Sequence, residues 1–216
     1  LPYNAHTTTS DALWAGLLAT DGEFIVWCDG DVSNFESSWI PRLLVPLVRD
    51  DAVHLVKASY RRRNGGGGRT TELVARPLLS MYFPELAALD QPLSGEYAAR
   101  RSAVESLSFV EGWGVEIALL IDIAAIHGAG AIAQVDLGNR EHRSRSLSDL
   151  SVQAAEVMAT LLSRVPSGGA PARTAPTLIR SDGAVIELNL RERPPVRNVP
   201  WRVTTWDGKS PSSDHL

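Results

Sequence analysis

The chain has 216 residues, of which 44% are hydrophobic and 21% are charged, a balance typical of one globular domain that excludes a disordered chain. Its net charge of −4 provides no overall basic field for nucleic acid or an anionic membrane, so any phosphate site must be a local basic patch. The single cysteine excludes an internal disulfide, no apolar run is long enough to span a membrane and no signal peptide is evident, so we expect a cytoplasmic protein.

Hydrophobic periodicity predicts strands that alternate with helices. In chain order, the patterns indicate a helix at 11–19, a strand at 23–28, a helix at 39–48, a strand at 52–60, a helix at 71–80, a helical turn at 84–89, a loop or bulged strand at 91–97, a helix at 114–127, a strand at 131–137 and a helix at 147–164. The alternation predicts an α/β fold with a mostly parallel sheet flanked by helices. In such sheets ligands bind beyond the carboxyl ends of the strands.

The composition changes near residue 167. Residues 167–176 are rich in Pro, Gly and Ala and read as a linker, residues 177–190 resemble a hairpin, and the remainder is rich in Pro and Ser and reads as a loose tail. We therefore expect a main domain over residues 1–166, followed by a linker, hairpin and tail over residues 167–216.

Two carboxylates follow the first predicted strand. Asp29 and Asp31 flank Gly30 at the end of the apolar run EFIVWC, which is typical of a buried parallel strand. Gly30 allows the backbone to bend and a ligand to approach closely. Hard oxygen ligands at this spacing suit Mg²⁺ or Mn²⁺, which can carry substrate phosphates. The alternative is an acidic turn that caps the next helix, but the buried strand before it favours the metal site.

A cationic, glycine-rich segment follows the second predicted strand. Residues 61–69 read RRRNGGGGR, and Thr70 and Thr71 open the next helix. Successive unhindered amides and guanidinium groups can wrap a phosphate or a carboxylate. No Lys-Ser/Thr pair follows the glycines, so the segment is not a P-loop. A solvated surface loop is an equally good interpretation of these residues.

Two further residues have both a functional and a structural interpretation. Glu116, at the start of an apolar helix after Gly112, Trp113 and Gly114, could accept hydrogen bonds from sugar hydroxyls or could simply complement the helix dipole. His142, in the charged segment after the third predicted strand, is either a metal ligand or part of an exposed loop.

An ordered series of motifs resembles the glucosyl-3-phosphoglycerate synthase family, which also contains mannosyl-3-phosphoglycerate synthases. The motifs are VHLVK at 53–57, GGGR at 66–69, TELVARP at 71–77, QPLSGEY at 91–97, GVEI at 114–117 and AIAQV with LG over 131–138. The resemblance covers roughly residues 11–165 and implies a GT-A-like, Rossmann-type fold. The chain starts at Leu1 in mid-pattern, so we expect that its N-terminal, nucleotide-binding part is incomplete.

The resemblance also implies a reaction. A retaining hexosyltransferase would move glucose from UDP-glucose to the 2-hydroxyl of 3-phosphoglycerate, with Mg²⁺ or Mn²⁺ as cofactor and no protein nucleophile. The chain's partners would be the nucleotide-sugar donor and the phosphoglycerate acceptor, and homodimers are common in the family. Alternatives are a mannosyl-3-phosphoglycerate synthase that uses GDP-mannose, and a non-catalytic fragment, because Thr9 stands where the family has a donor-phosphate lysine.

The family's site residues carry over motif by motif. The resemblance implies that Asp31 and His142 bind the metal and that Asp29 contacts the nucleotide. Leu93 and Glu116 would face the donor hexose. The acceptor's phosphate and carboxylate would be held by three residues: Gly68, Arg69 and Thr71. The catalytic residues expected from the family are thus Glu116 and Asp31.

Overall fold

The computed structural model describes residues 9–62, 68–141, 146–166, 177–179 and 181–187. Its helices are α1 (Thr9–Leu18), α2 (Trp39–Arg49), α3 (Arg76–Tyr82), α4 (Arg101–Val104), α5 (Val115–His127) and α6 (Leu147–Leu162). Its strands are β1 (Phe24–Trp27), β2 (Leu55–Arg62), β3 (Tyr97–Arg100), β4 (Ile132–Arg140), β5 (Thr177–Ile179) and β6 (Val185–Glu187). A π-helical turn, Thr71–Ala75, leads into α3, and single 3₁₀ turns precede β3, α5 and β4.

Four strands form the central sheet in the order β1-β3-β2-β4. Strand β4 pairs parallel to β2, whereas β3 pairs antiparallel to both β1 and β2. Three strands therefore point the same way, as the predicted mostly parallel sheet requires, and one reversed strand lies between two of them. The sequence patterns predicted β1, β2 and β4, but they left β3 out.

The position of β3 changes the interpretation of the first strand. The apolar run at residues 23–28 was expected to be a buried parallel strand, but β1 pairs antiparallel with β3, with Trp27 opposite Tyr97. Its residues alternate between half-buried and buried positions, which is typical of a strand that is covered more completely on one face. The buried-parallel interpretation of this strand is therefore wrong, because a continuous apolar run does not specify the direction of its neighbour.

The sheet separates two hydrophobic clusters. Helix α2 covers one face with Trp39, Leu43 and Leu47, which recur every fourth residue and are fully buried together with Val56 of β2. On the other face, Leu55 of β2 packs in a larger cluster with residues of α3, α5 and α6. Because neighbouring residues of a strand face opposite sides, β2 contributes alternately to both clusters.

The hairpin β5–β6 forms where the sequence predicted it, and it contacts the main body. Ile179 is buried in the larger cluster, and its amide donates to Oγ of Ser80 in α3 at 2.9 Å. The division of the chain at residue 167 stays a prediction. Across the ranges described above, none of the helices combines the length and apolar content that crossing a membrane requires.

Candidate active site

The carboxyl ends of β1, β2 and β4 lie at one edge of the sheet, and the reversed β3 begins at the same edge. Residues that follow β1, β2 and β4 therefore lie close to residues that precede β3. We call this edge the rim and define it by six charged residues: Asp29, Asp31, Lys57, Glu96, Glu116 and Arg140.

Arg140, the last residue of β4, joins two sides of the rim. Its Nη2 lies 2.6 Å from Oδ2 of Asp29, and its Nε lies 2.8 Å from Oε1 of Glu96. The side chains of Arg140 and Glu96 are only 3% and 0% exposed, so the pair is shielded from water. Burial raises the pKa of Glu96, and Arg140 opposes that rise. The guanidinium is therefore the counter-charge that allows Glu96 to stay ionised.

A glycine on the facing segment permits the approach of Asp29. A Cβ atom on Gly95 would overlap the Asp29 carboxylate, so no other residue fits there without moving the acid. A Cβ atom on Gly30, by contrast, would meet nothing within 4 Å. Gly30 is predicted to give a ligand room to approach, and this stays a prediction; the close contact within the chain occurs at Gly95.

Asp31 lies at the open side of the rim. Its side chain is 53% exposed, and Oδ1 lies 3.9 Å from Nη2 of Arg140. Close by, the amide of Ser33 donates to the carbonyl of Glu141 at 3.0 Å, and Nδ2 of Asn34 donates to the carbonyl of Asn139 at 2.7 Å. The turn that carries Asp31 is therefore hydrogen-bonded to the chain directly after β4.

The donor groups on this turn suit a divalent cation. Asp29 and Asp31 offer hard carboxylate oxygens, and those of Asp31 are accessible to solvent. His142, the second predicted metal ligand, lies outside the described residues, one position beyond Glu141. Within the described ranges, no group of three or more His, Cys, Asp or Glu side chains could hold a metal ion. The carboxylate of Asp31 is of the kind that Mg²⁺ and Mn²⁺ prefer, and the ligand set stays a prediction.

Glu116 lies in the first turn of α5 and interacts electrostatically with Lys57. Burial raises the pKa of Glu116 to about 7, and the charge of Lys57 opposes this rise more than any other group does. The ammonium of Lys57 also donates to the carbonyl of Ser94 at 2.7 Å, directly after Leu93. The two residues predicted to face a hexose, Leu93 and Glu116, are thus linked through one buried lysine.

Helix α6 fixes the start of α5. The amide of Trp113 donates to Oε2 of Glu156 at 2.8 Å, and Gly112 has a φ of 78°. A Cβ atom on Gly114 would overlap the hydroxyl of Thr160. The two glycines around Trp113 are therefore required by the contact with α6, and that contact places Glu116 at the rim.

The predicted acceptor residues lie at the start of the helical segment after β2. Gly68 has a φ of 68°, in the left-handed region that favours glycine, and its carbonyl accepts from the amide of Glu72 at 2.8 Å. Arg69 is exposed, whereas Thr71 is buried at the start of the π-helical turn. Residues 63–67 of the Arg/Gly segment lie outside the described residues.

Arg76 connects this segment to the chain that leads into Leu93. Its guanidinium is buried and donates to the carbonyls of Ala87, Leu89 and Asp90 at 2.7, 3.1 and 2.9 Å. The carboxylate of Asp90 in turn accepts from Oγ of Ser59 in β2 at 2.6 Å. The segment with the predicted acceptor-binding residues is thereby connected to the same end of the sheet as the rim.

Three charged residues of the rim were missed as site residues. Lys57, Glu96 and Arg140 stood in the quoted motifs or beside them, but no role was predicted for them. Lys57 gave a usable signal, since a lysine inside the apolar run VHLVKASY must be buried on one face of a strand. Glu96 and Arg140 meet only because β3 inserts beside β2, and a single sequence does not show that pairing.

Comparison with known proteins gives a consistent result. No protein-family model matches the chain. Over 172 residues the chain is 48% identical to glucosyl-3-phosphoglycerate synthase of Mycolicibacterium paratuberculosis, an alignment that covers 74% of this chain and 52% of that relative. The chain thus spans about half the length of this curated relative.

Solved structures extend the likeness. Two crystal structures of glucosyl-3-phosphoglycerate synthase from Mycobacterium tuberculosis are 43% identical to this chain, with a TM-score of 0.71. One contains Mn²⁺, UDP-glucose and phosphoglyceric acid, and the match covers 91% of this chain and 67% of that one. The other contains Mn²⁺, UDP and glucosyl-3-phosphoglycerate, with coverages of 90% and 68%. The likeness confirms the predicted α/β, GT-A-like fold.

Proposed function

The chain belongs to the glucosyl-3-phosphoglycerate synthase family, and from this premise we propose that it is a retaining hexosyltransferase. The reaction transfers glucose from UDP-glucose to the 2-hydroxyl of 3-phosphoglycerate and gives glucosyl-3-phosphoglycerate. The observation that carries this proposal is the rim. There Arg140 binds Asp29 and Glu96, and Lys57 interacts with Glu116 at the start of α5. Such a cluster suits a polar, hydroxyl-rich ligand with a phosphate leaving group.

The donor side of the site uses the rim's carboxylates. Asp31 and His142 would hold Mg²⁺ or Mn²⁺, which when bound neutralises the charge that develops on the diphosphate leaving group. Asp29 is held by Arg140 on one side and by the close packing of Gly95 on the other, and it would contact the nucleotide. Glu116 as a carboxylate accepts hydrogen bonds from hexose hydroxyls, and Leu93 limits where the ring can lie.

The acceptor side uses the segment that starts at Gly68. Phosphoglycerate carries a phosphate and a carboxylate, and Arg69 can bind one of these groups with two parallel hydrogen bonds. The hydroxyl of Thr71 and nearby backbone amides provide further donors. These groups would bind an acceptor with two anionic groups beside the donor sugar without any overall positive charge on the protein.

We propose a front-side displacement with retention. The bond between C1 of glucose and the diphosphate oxygen breaks, a bond between C1 and the acceptor's 2-oxygen forms on the same face, and the hydroxyl proton passes to the leaving diphosphate. The chain's residues bind and orient the two substrates, and none of them is required to attack the sugar. Because Glu116 accepts hydrogen bonds in this scheme, it must be ionised when the donor binds.

The test is product analysis with matched substrates. The chain is incubated with Mn²⁺, 3-phosphoglycerate and either UDP-glucose or GDP-mannose, and the products are identified by mass spectrometry and NMR. We expect glucosyl-3-phosphoglycerate from UDP-glucose. A mannosylated product would reassign the donor, and absence of donor binding by calorimetry would favour the non-catalytic alternative.

Replacing Asp31 tests the proposed metal site. We expect Asp31→Ala to lose metal-dependent turnover, because the leaving diphosphate then lacks its counter-charge. The matched control is Asp21→Ala, which removes an exposed carboxylate at the other end of β1 and should keep full activity. Equal activity of both variants would show that the ligand assignment is wrong.

We also propose a cytoplasmic location and a homodimer. The location is supported by the nature of the substrates, since sugar nucleotides and phosphoglycerate are metabolites of the cytoplasm. The homodimer is supported by exposed apolar side chains on α6, including Leu147, Met158 and Leu162. Light scattering of the purified chain tests the dimer, and a monomeric mass at micromolar concentration would contradict it.

A further inference from the structure

A buried lysine lies at the centre of the rim. Lys57 is 2% exposed, and it lies in β2 directly opposite Tyr97 of β3. Taking an ammonium group out of water costs several kcal/mol unless nearby groups compensate. The contacts of this lysine therefore indicate what its charge does.

One contact fixes the turn that carries Leu93. The ammonium donates to the carbonyl of Ser94 at 2.7 Å and lies 4.5 Å from the centroid of the Tyr97 ring. The turn is also closed internally, because the amide of Ser94 donates to the carbonyl of Gln91 at 3.0 Å. The buried ammonium of Lys57 therefore holds this closed turn, and with it Leu93, in a fixed position relative to the sheet.

The second interaction is with Glu116. Alternate residues of a strand share a face, so Lys57 lies on the same face as Leu55, which packs in the cluster with Ile117 of α5. Glu116 precedes Ile117 and is the carboxylate that acts most strongly on Lys57. Arg140 already binds Asp29 and Glu96, so the rim contains two cations with different carboxylate partners.

We propose that Lys57 is a positioning residue for the donor hexose, which holds the turn carrying Leu93 in place and supplies the positive charge that acts on Glu116. This inference rests on the proposed function for its substrate, but the coupling of the two side chains does not. Lys57 need not touch the sugar, because it acts through Leu93 on one side and through Glu116 on the other.

The charge states agree with this role. Burial raises the pKa of Glu116 to about 7 and lowers the pKa of Lys57 to about 8, and each charge opposes the other's shift. Other titratable groups also face the pair. They are Asp29 after β1, Glu96 before β3 and Tyr97 in β3. Asp29 and Glu96 raise the pKa of Glu116. Among the charged groups that act on Glu116, Lys57 is the cation, and it favours the ionised carboxylate.

The first experiment measures the coupling without any substrate. The full chain is labelled with ¹³C at glutamate carboxyl groups, and the Glu116 signal, assigned by its loss in Glu116→Gln, is followed through a pH titration. In Lys57→Met we expect the midpoint of Glu116 to rise by at least about one pH unit, a tenfold weaker acid. The matched control is Val56→Ala, which perturbs the same strand on its opposite face and should leave the midpoint unchanged.

A reciprocal measurement covers the case in which Lys57→Met does not fold. Linkage requires that Glu116→Gln lower the midpoint of Lys57 as much as the lysine lowers that of Glu116. The ¹³C signal of the Lys57 Cε reports this in a chain that keeps its lysine. An unchanged Lys57 midpoint in Glu116→Gln, or an unchanged Glu116 midpoint in Lys57→Met, would overturn the proposal.

The second experiment measures the consequence for catalysis. Donor binding needs an ionised Glu116, so the acidic limb of kcat/KM for UDP-glucose should move to higher pH in Lys57→Met, with a KM for the donor raised about tenfold at pH 7. The acceptor's KM should change far less, and Lys57→Arg, which keeps the charge, should recover part of the loss. A uniform loss of kcat with no shift in pH would indicate a structural role only. If the unaltered chain has no activity, the proposed function fails while the titration result stands.

Discussion

The arginines at the two ends of the sheet have different hydrogen-bond partners. At the amino ends of β1 and β2, Arg100 donates to the carbonyls of Leu47 and Val53 at 2.5 and 2.9 Å. At the rim, Arg140 donates instead to the carboxylates of Asp29 and Glu96. Arg100 also donates to Oδ1 of Asp51 at 3.0 Å, but this carboxylate and that of Glu23 are exposed to solvent, whereas Glu96 is fully buried.

This difference separates a structural arginine from one that belongs to a site. Carbonyl partners keep the same charge at every pH and are fixed by the backbone, so Arg100 can only hold segments together. Carboxylate partners titrate and can change partner when a ligand arrives. Oε2 of Glu96 and the hydroxyl of Tyr97 are buried and lack a hydrogen-bond partner in the described part of the chain. The rim thus has polar groups whose bonding a ligand can complete, and the following predictions test that contrast.

The largest expected effect is on stability. Arg140→Met leaves Glu96 buried without its counter-charge, and we expect the free energy of unfolding at pH 7 to fall by about 3–5 kcal/mol. Burial already raises the pKa of Glu96, and loss of Arg140 raises it further, so the loss of stability should be small at low pH, grow as pH rises towards that raised pKa and level off above it. Urea unfolding at several pH values measures this.

The matched control is Arg100→Met at the other end of the sheet. It leaves partly buried carbonyls without this donor, at a cost of about 1–3 kcal/mol. Its carboxylate neighbours are solvated, and His54, whose pKa Arg100 helps to lower, is neutral above about pH 7, so this loss should not vary with pH from neutral to mildly alkaline solution. Equal pH dependence in the two variants would remove the distinction between the two ends.

The next effect concerns acceptor binding. Arg69 is exposed, unlike Arg140, so Arg69→Ala should leave stability within about 0.5 kcal/mol of the original. Loss of a charge-assisted hydrogen bond of about 1.5–3 kcal/mol should raise the KM for 3-phosphoglycerate by about one to two orders of magnitude. The exposed Arg49→Ala, at the end of α2, is the control in steady-state kinetics. A change confined to the donor's KM would place this segment on the other side of the site.

A pair of glycines tests the packing of the rim. In Gly95→Ala the new methyl group must displace the Asp29 carboxylate, and we expect a loss of about 1–3 kcal/mol in stability with weaker donor binding. Gly30→Ala adds the same methyl group to open space one residue from the same acid and should be nearly neutral. Thermal unfolding and calorimetry with UDP-glucose compare the two. Equal losses would mean that Gly95 is not the close contact.

The sequence predicted the elements that have strong local periodicity. The helix at 114–127, apolar on all sides, and the strand at 131–137 both formed, because burial and hydrogen bonding act in the same direction there. The strand at 97–100 was missed, since its four residues, YAAR, lack an alternating pattern and form a strand only between β1 and β2.

Candidate site residues were identified from the sequence where a motif lies on one segment and were missed where the contact depends on strand pairing. The two acids around Gly30 and the glutamate at the start of α5 were identified from local sequence. The contacts of Arg140 with Asp29 and Glu96 join residues 111 and 44 positions apart, and only the sheet order brings them together. Local patterns carry no information on such distances, so the counter-charges of the site were not predicted.

The smallest effect uses the single cysteine as a reporter of the rim. Burial, followed by the charges of Glu96 and Asp29, raises the pKa of Cys28 to about 11. At pH 8 the thiol should therefore react with iodoacetamide about two orders of magnitude more slowly than an unhindered cysteine, while the urea-unfolded chain reacts at the ordinary rate. Asp29→Asn removes one of the two negative charges and should speed the native reaction several-fold, whereas Asp21→Asn, at the amino end of β1, should not change it. An equal rate in both variants would show that burial alone protects the thiol and that the field of the rim does not extend to Cys28.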